Sequence, residues 1–179
     1  MYFSFSASQL PNGRERNTGV FEDGARGLRA NMIIREAKEQ DFPTICILMK
    51  NKLGYSDLND GGAINRLKYF SDNSNWITYV AADGCGEIMG FIGVMKSLSY
   101  NIEGNYSQIM ALAVSEKAQR KGIGIKLVKK AEEWSLENGI TDIGVNCGIK
   151  RLGAQAFYEK NDYAKKSFSL MKKSEDIHA

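Results

Sequence analysis

The chain has 179 residues, of which 43% are apolar and 25% are charged, and its formal net charge is +3. This composition is typical of a globular protein and excludes a fibrous or largely disordered chain, and the length suits one domain that buries its own core. The positive charge is spread along the sequence, so no basic tract indicates a nucleic-acid-binding protein.

Residues 1–31 differ from the rest of the sequence. A proline and several glycines interrupt this segment, and no apolar periodicity survives in it. We expect a disordered, tag-like appendage, or a start codon assigned upstream of a natural start at Met32; a small functional arm is the third interpretation. The domain itself is predicted to comprise residues 32–179.

Deleting residues 1–31 is expected to leave the melting temperature of the protein essentially unchanged. A glycine-rich segment without apolar periodicity buries too little surface to offset the conformational entropy that ordering it would cost. Calorimetric melting of the full chain and of a chain that starts at Met32 measures the effect. A large fall in melting temperature on deletion would show that the arm is part of the domain.

Periodicity and turn residues predict the elements of the domain in chain order. A strand at residues 32–35 is followed by a helix that Asp41 caps, with Pro43 in its first turn, and Gly54 ends this helix. The further predicted elements are a helix at 57–70, strands at 76–82 and 88–95 joined by a turn at 83–86, a strand at 106–114, a helix at 122–138, a strand at 140–147, a helix at 152–160 and a strand at 167–171. The hairpin predicts antiparallel sheet, and the strand, helix and strand between 106 and 147 predict a right-handed parallel crossover.

Cysteine and histidine usage narrows the chemistry. Cys46, Cys85 and Cys147 are unevenly spaced, which predicts neither a disulfide framework nor a metal pair and favours a reducing, cytoplasmic setting. The single histidine, His178, is one residue from the end, so we expect no mechanism that needs a positioned imidazole, such as those of Ser-His-Asp and Cys-His hydrolases and most zinc enzymes. The same cysteine and histidine usage predicts no metal site. No apolar run approaches the ~20 residues that span a bilayer, so we expect no membrane partner.

A glycine-rich segment, QRKGIG at residues 119–124, lies between a predicted strand and the helix that follows it. A helix N-terminus offers unpaired backbone N–H groups and the positive end of the helix dipole, and glycines let a phosphate approach the backbone closely. The segment therefore predicts a pyrophosphate cradle. Arg120, Lys121 and Lys126 add positive charge, although such side chains at a helix start are as often simply solvated.

Two other phosphate-binding motifs fit this segment less well. The pattern GxxxxGK[ST] is absent, and the dinucleotide pattern GxGxxG fails because Leu127 occupies its third glycine position. Asp142 lies near the distance expected of a ribose-binding acid. However, the unit follows an antiparallel hairpin late in the chain, where a dinucleotide-binding domain is not expected to begin. A dinucleotide site stays as the alternative.

Two motifs in this sequence resemble those of the GNAT family of N-acetyltransferases. Residues 112–114, LAV, followed by the glycine segment, resemble the family's strand and its Q/R-x-x-G-x-G/A motif. Residues 146–160 resemble its N-S-G-x-x-R-x-x-A-H-x-F-Y-E-K run, with both motifs in the family's order. The resemblance covers roughly residues 32–171. It implies transfer of an acetyl group from acetyl-coenzyme A to an amine.

The resemblance also implies a fold and a set of site residues. The fold is α/β (α+β): a mixed, mostly antiparallel central sheet flanked by helices, in which a splayed parallel strand pair forms the acetyl-coenzyme A cleft. Acetyl-coenzyme A is the implied co-substrate, with no metal. The cofactor-binding positions that match the family are Leu112, Ala113, Val114, Gln119, Arg120, Lys121, Gly122, Ile123, Gly124, Ile125, Asn146 and Ala154.

The sequence departs from the family pattern at several positions. Cys147 replaces a serine, Gln155 a histidine and Asp162 a glycine, and aspartate tolerates the backbone angles of a glycine turn better than most residues do. Many relatives carry a glutamate as general base on the strand before the glycine turn. Here that strand offers Gln108 and Met110 and no acid, so the base stays open between Glu103 and a water chain.

By the same resemblance Tyr158 is the expected catalytic residue, a general acid that protonates the departing thiolate. The alternative is a tyrosine that only packs, and Cys147 is interpreted as a small core residue and not as an acyl carrier. The acceptor is a small-molecule or peptide amine, which Asp57, Asp60 or Glu103 could attract. A non-catalytic acyl-coenzyme A sensor is the second hypothesis, and a homodimer is left open.

Overall fold

The computed structural model of the chain describes residues 32–100, 103–167, 169–170 and 172, so the segment 1–31 and His178 lie outside the described residues. The elements are strand β1 (Ile33–Glu36), helices α1 (Phe42–Leu53) and α2 (Asp60–Ser71), strands β2 (Trp76–Ala82), β3 (Ile88–Leu98) and β4 (Asn105–Val114), helix α3 (Ile123–Glu137), strand β5 (Ile143–Val145) and helix α4 (Leu152–Glu159). Short 3-10 turns at Glu39–Asp41 and Glu116–Ala118 precede α1 and α3. None of the helices between residues 32 and 172 that the structure describes has the length and apolar character needed to cross a membrane.

The strands form one sheet in the order β1-β2-β3-β4-β5. Neighbouring strands from β1 to β4 are antiparallel, and β4 and β5 are parallel, with α3 in the connection between them. Parallel neighbours need such a crossover, because a tight turn can join only antiparallel strands. The predicted fold class, a mostly antiparallel sheet with one parallel pair and flanking helices, is confirmed.

Helices cover both faces of the sheet. Neighbouring residues of β3 point to opposite faces: Phe91 belongs to the cluster formed with α1 and α2, and Ile92 to the cluster formed with α3. Leu127 and Val128 of α3 are fully buried in that second cluster. The two helical layers therefore hold β4 between them, which fixes the strand that leads into the glycine segment.

The start of α1 differs from the expectation. Asp41 precedes the helix, but its side chain makes no capping bond to it. The carboxylate instead accepts hydrogen bonds from the Arg35 guanidinium, at 2.6 and 3.0 Å, and from the Lys38 N–H at 2.7 Å. The bond from Arg35 holds the pKa of Asp41 below its ordinary value. Asp41 thus ties β1 to α1, because the charged partner competes successfully with the helix N–H groups.

Two predicted strands near the C-terminus are corrected. The strand expected at 140–147 is confined to Ile143–Val145, because β4 and β5 pair over only three residues each. The strand expected at 167–171 is not found: residues 167, 169 and 170 lie outside any strand, and 168 and 171 lie outside the described residues. Leu170 is 95% exposed, so its side chain gains no stabilisation from burial that would favour a strand there.

A glycine of β3 permits close approach to β4. A Cβ atom on Gly90 would lie 2.8 Å from the backbone carbonyl oxygen of Ala113. Gly90→Ala is therefore expected to destabilise the fold by about 1–3 kcal/mol, the usual cost of overpacking. Urea unfolding measures this, with Gly93→Ala as the matched control, since a Cβ there meets only Thr78 Oγ1, at 4.0 Å. Equal stability of the two variants would contradict the close approach.

Candidate active site

The strand pair β4 and β5 separates within the sheet. Ser107, Gln108 and Ile109 pair with Ile143–Val145, whereas β4 continues to Val114 without β5 beside it. A β-bulge lies at this point, because Ile109 pairs with Val94 and Ala111 with Gly93, which leaves Met110 as the extra residue. Backbone groups along the open edge of β4 are thus available to a ligand.

A cavity of about 410 Å³ fills the space between the separated strands. Ile109 and Leu112 line it from β4, and Val145 and Asn146 line it from β5 and the residue after it. Helix α4 supplies Ala154, Phe157 and Tyr158, and the end of α1 and the turn after it supply Leu53 and Tyr55. With Gln119 and Gly124 of the glycine segment, five separate parts of the chain converge on this opening.

The glycine segment turns sharply into α3. Arg120 and Gly122 have φ angles of 59° and 76°, both in the left-handed region, which glycine adopts without strain. The first helical hydrogen bond runs from the Lys126 N–H to the Gly122 carbonyl, at 3.2 Å. Gly122 offers no side-chain cap, so the N–H groups of residues 123–125 point out of the helix start. The turn therefore has the geometry of a helix N-terminus that suits an anion.

A second cavity, of about 270 Å³, lies over this helix start. Val114, Gln119, Gly124 and Phe157 line both cavities, so the two join into one groove. A Cβ on Gly124 would lie 3.4 Å from two ring carbons of Phe157, tighter than most such contacts. Glycine thus keeps the junction of the two cavities open.

Most of the sequence-predicted cofactor positions meet in this groove. Those that line it are Leu112, Val114, Gln119, Arg120, Gly122, Ile123, Gly124, Ile125, Asn146 and Ala154. Ala113 is buried in the cluster on the α1 and α2 side, as its alternate position on β4 requires, and it lines neither cavity. Lys121 is exposed and its side chain is not part of the lining.

Tyr158 lies at the inner wall of the larger cavity and is 7% exposed. Its ring packs edge-on against Phe157 and Tyr163, with centroids 5.2 and 5.4 Å away. The hydroxyl makes no hydrogen bond to any residue in the described part of the chain. Burial raises its pKa above the ordinary value, with a further rise from Cys147, while the positive charge of Arg151 opposes this. The hydroxyl is therefore protonated at neutral pH and free to donate.

The loop between β5 and α4 is held by its own motif residues. Gln155, at the family's histidine position, donates through Nε2 to the carbonyls of Gly148 and Ile149, both at 3.0 Å. Arg151 donates to the Lys52 carbonyl at 2.7 Å, which joins α4 to the end of α1. Asp162 has a φ of 66°, so the expectation that it adopts the angles of a glycine turn is confirmed.

No carboxylate lines either cavity among the described residues. Gln108 lies in the paired part of β4, and Met110, at the bulge, lines the larger cavity. Glu103 is exposed and outside the lining, and Asp60 pairs with Lys50 at 2.8 Å. The structure thus brings none of the acids named from the sequence into the groove. Nor does any group of three potential metal ligands occur among the described residues.

Sequence reasoning missed several lining residues. Phe157 follows Ala154 at helical spacing and precedes Tyr158, so the period of α4 could have indicated it. Leu53 and Tyr55 lie at and just after the end of α1, nearly one hundred residues before α4, and no local signal links them to the glycine segment. Only the tertiary packing of α1 against the sheet brings them to the groove.

Comparison with known proteins places this geometry in a family. The sequence model of the Acetyltransferase (GNAT) family matches residues 34–163. An aminoalkylphosphonate N-acetyltransferase from Salmonella typhimurium is 29% identical over 143 residues, covering 78% of this chain and 89% of that protein.

Solved structures share the fold. A transcriptional regulator from Bacillus halodurans superposes with a TM-score of 0.73 at 25% identity, over 79% of this chain and 99% of that one. A GNAT family acetyltransferase from Staphylococcus aureus gives 0.62 at 22% identity, over 80% of this chain and 98% of that one. An aminoglycoside 6'-N-acetyltransferase from Acinetobacter baumannii gives 0.68 at 13% identity, over 80% and 97%, and at that identity the likeness concerns the fold alone. Because the family match spans most of the chain and agrees with the splayed strands and the glycine turn, the chain belongs to the GNAT family of acetyltransferases.

Proposed function

We propose that this protein transfers an acetyl group from acetyl-coenzyme A directly to the primary amine of a small acceptor. The observation that carries the proposal is the groove, which runs from the helix start at the glycine segment to Tyr158. Direct transfer needs both substrates in one groove, because the amine must attack the thioester while both are bound.

The residues of the groove fit the co-substrate that GNAT enzymes use. The N–H groups of residues 123–125 and the side chain of Arg120 suit a pyrophosphate, and Gly124 leaves the space for it. The open edge of β4 at residues 112–114 offers main-chain partners for the amides of the pantetheine arm. A main-chain N–H at the same edge would stabilise the negative charge that develops on the acetyl oxygen.

Tyr158 supplies the proton for the thiolate that leaves. Tyr158 lines the cavity, and its hydroxyl carries its proton at neutral pH and has no competing hydrogen-bond partner among the described residues. Within the described part of the chain, no carboxylate lines the groove to take a proton from the amine. The amine therefore enters in its neutral form or loses its proton to water along the backbone carbonyls of the open strand edge.

The Salmonella typhimurium relative named above acts on an aminoalkylphosphonate, which supports a small amine as the acceptor here. Mass spectrometry under native conditions tests the co-substrate, since retained coenzyme A adds a defined mass to the protein. A panel of amines followed by thiol release then tests transfer. Coenzyme A binding without amine-dependent thiol release would favour the alternative function, a non-catalytic acyl-coenzyme A sensor.

A further inference from the structure

Among the residues that the structure describes, the charged side chain that lines the larger cavity is Arg151. Two acids near the end of α1 do not line the cavity and form ion pairs with lysines: Asp60 pairs with Lys50, and Glu116 pairs with the Lys52 ammonium. A site for a polycationic acceptor would need carboxylates to receive its second charge. The charged group that lines this cavity is instead a cation, the guanidinium of Arg151.

The position of Arg151 identifies the end of the groove at which it acts. Its Nη2 donates to the Lys52 carbonyl at 2.7 Å, and the next residues of that segment, Leu53 and Tyr55, line the cavity. The guanidinium thus lies at the α1 end, whereas the smaller cavity over the glycine turn has neither α1 nor Arg151 in its lining. The α1 end is the part of the groove that the proposed pyrophosphate cradle leaves for the acceptor.

Most of the N–H donors of Arg151 make no hydrogen bond to any residue that the structure describes. A guanidinium carries five N–H donors, and the bond to Lys52 uses one of them. Arg151 forms no ion pair with a carboxylate of the described residues. Arg151 immediately precedes α4, and its positive charge acts to lower the pKa of Tyr158, so this charge lies near the proposed acid.

We infer that the acceptor is a small amine whose other end carries an anionic group, and that Arg151 binds this group. The inference rests on the proposed acetyl transfer and names the substrate class for it. A planar guanidinium binds phosphonate, phosphate or carboxylate oxygens through paired hydrogen bonds, which fixes the orientation of the acceptor as well as its affinity. The amine then points away from Arg151, toward the thioester.

Four amines of similar size test the inference with acetyl-coenzyme A and the full chain: 2-aminoethylphosphonate, β-alanine, ethanolamine and 1,3-diaminopropane. We expect kcat/KM to be highest for the two anionic amines and lowest for the diamine. A larger value for 2-aminoethylphosphonate than for β-alanine would identify the tetrahedral, doubly charged group as the ligand, and the reverse order would identify the carboxylate. Equal or better turnover of ethanolamine or the diamine would overturn the inference.

Arg151→Gln is expected to lower kcat/KM for the anionic amines about 10- to 100-fold more than for ethanolamine, the usual effect of a lost charge-assisted hydrogen bond. Structural damage would lower kcat/KM for all four amines together, so the ratio of kcat/KM for the anionic amines to that for ethanolamine reports recognition of the anionic group. Arg151→Lys should restore part of this ratio. Lys150→Gln is the matched control, since it removes the same charge one residue away, outside the cavity lining.

Four results would contradict the assignment in different ways. A uniform loss with all amines in Arg151→Gln would make Arg151 a structural residue, and an equal loss of preference in Lys150→Gln would show an effect of overall charge. Turnover without preference overturns this inference alone. No thiol release with any of the four amines, in a protein that binds acetyl-coenzyme A, overturns the proposed function as well.

Discussion

Tyr158→Phe is expected to lower the single-turnover rate of acetyl transfer by about 10²-fold or more, roughly 3 kcal/mol of transition-state stabilisation, as removal of a general acid does. The ring and its contacts with Phe157 and Tyr163 remain, so acetyl-coenzyme A affinity should change little. Rapid-quench measurement is required, because slow product release hides a change in the chemical step. Since the pKa of Tyr158 is raised, the wild-type rate should not fall through loss of this acid below pH ~10.

Tyr163→Phe is the matched control for this experiment. Its hydroxyl donates to Glu132 Oε1 at 3.1 Å and does not line the cavity. Removing it should cost about 1 kcal/mol of stability and leave the rate of transfer nearly unchanged. A folded Tyr158→Phe variant with the wild-type rate would show that the thiolate leaves without this proton, and Tyr158 would then be only part of the cavity wall.

Gly124→Glu is expected to abolish measurable binding of acetyl-coenzyme A while the protein stays folded. The first atom of the new side chain would already lie 3.4 Å from the Phe157 ring, so the rest must enter the groove. Its carboxylate would also repel a pyrophosphate at the helix start. Isothermal titration calorimetry measures the loss, and circular dichroism confirms the fold.

Gly144→Glu adds the same charge on β5, where a new Cβ meets nothing within 4 Å, and serves as the control. It should bind acetyl-coenzyme A with nearly wild-type affinity. Gly124→Ala adds bulk without charge, so it separates these two effects. Its affinity for acetyl-coenzyme A should lie between those of Gly124→Glu and Gly144→Glu. Wild-type affinity in folded Gly124→Glu would mean that the pyrophosphate does not lie over this helix start.

The elements that carry the motifs could be predicted from the sequence. Strand β4 and helix α3 were expected within one residue at each end, because alternation and helical periodicity are local signals and Gly122 and Gly139 mark the helix limits. The left-handed angles of Gly122 and Asp162 follow from the same local chemistry. Ten of the twelve predicted cofactor positions line the groove, since they lie on these elements.

What could not be predicted depends on contacts between distant segments. The length of β5 is set by where β4 diverges from it, and nothing within residues 140–147 records that. The cap predicted at Asp41 failed because Arg35, on another element, takes the carboxylate. The α1 end of the groove is likewise a product of the bond between Arg151 and the Lys52 carbonyl.

The extra residue at Met110 reverses the side-chain alternation of β4, so odd- and even-numbered residues exchange faces of the sheet beyond it. Before it, the odd-numbered Ile109 faces the α3 cluster; after it, the even-numbered Leu112 and Val114 do, and Ala113 faces the other layer. Strict alternation would have turned Leu112 and Val114 away from the groove. Substitution at Met110 leaves this phase intact, whereas loss of one residue there would exchange the two faces of every position up to the glycine turn. The length of β4 is therefore under tighter constraint than the side chain at its bulge.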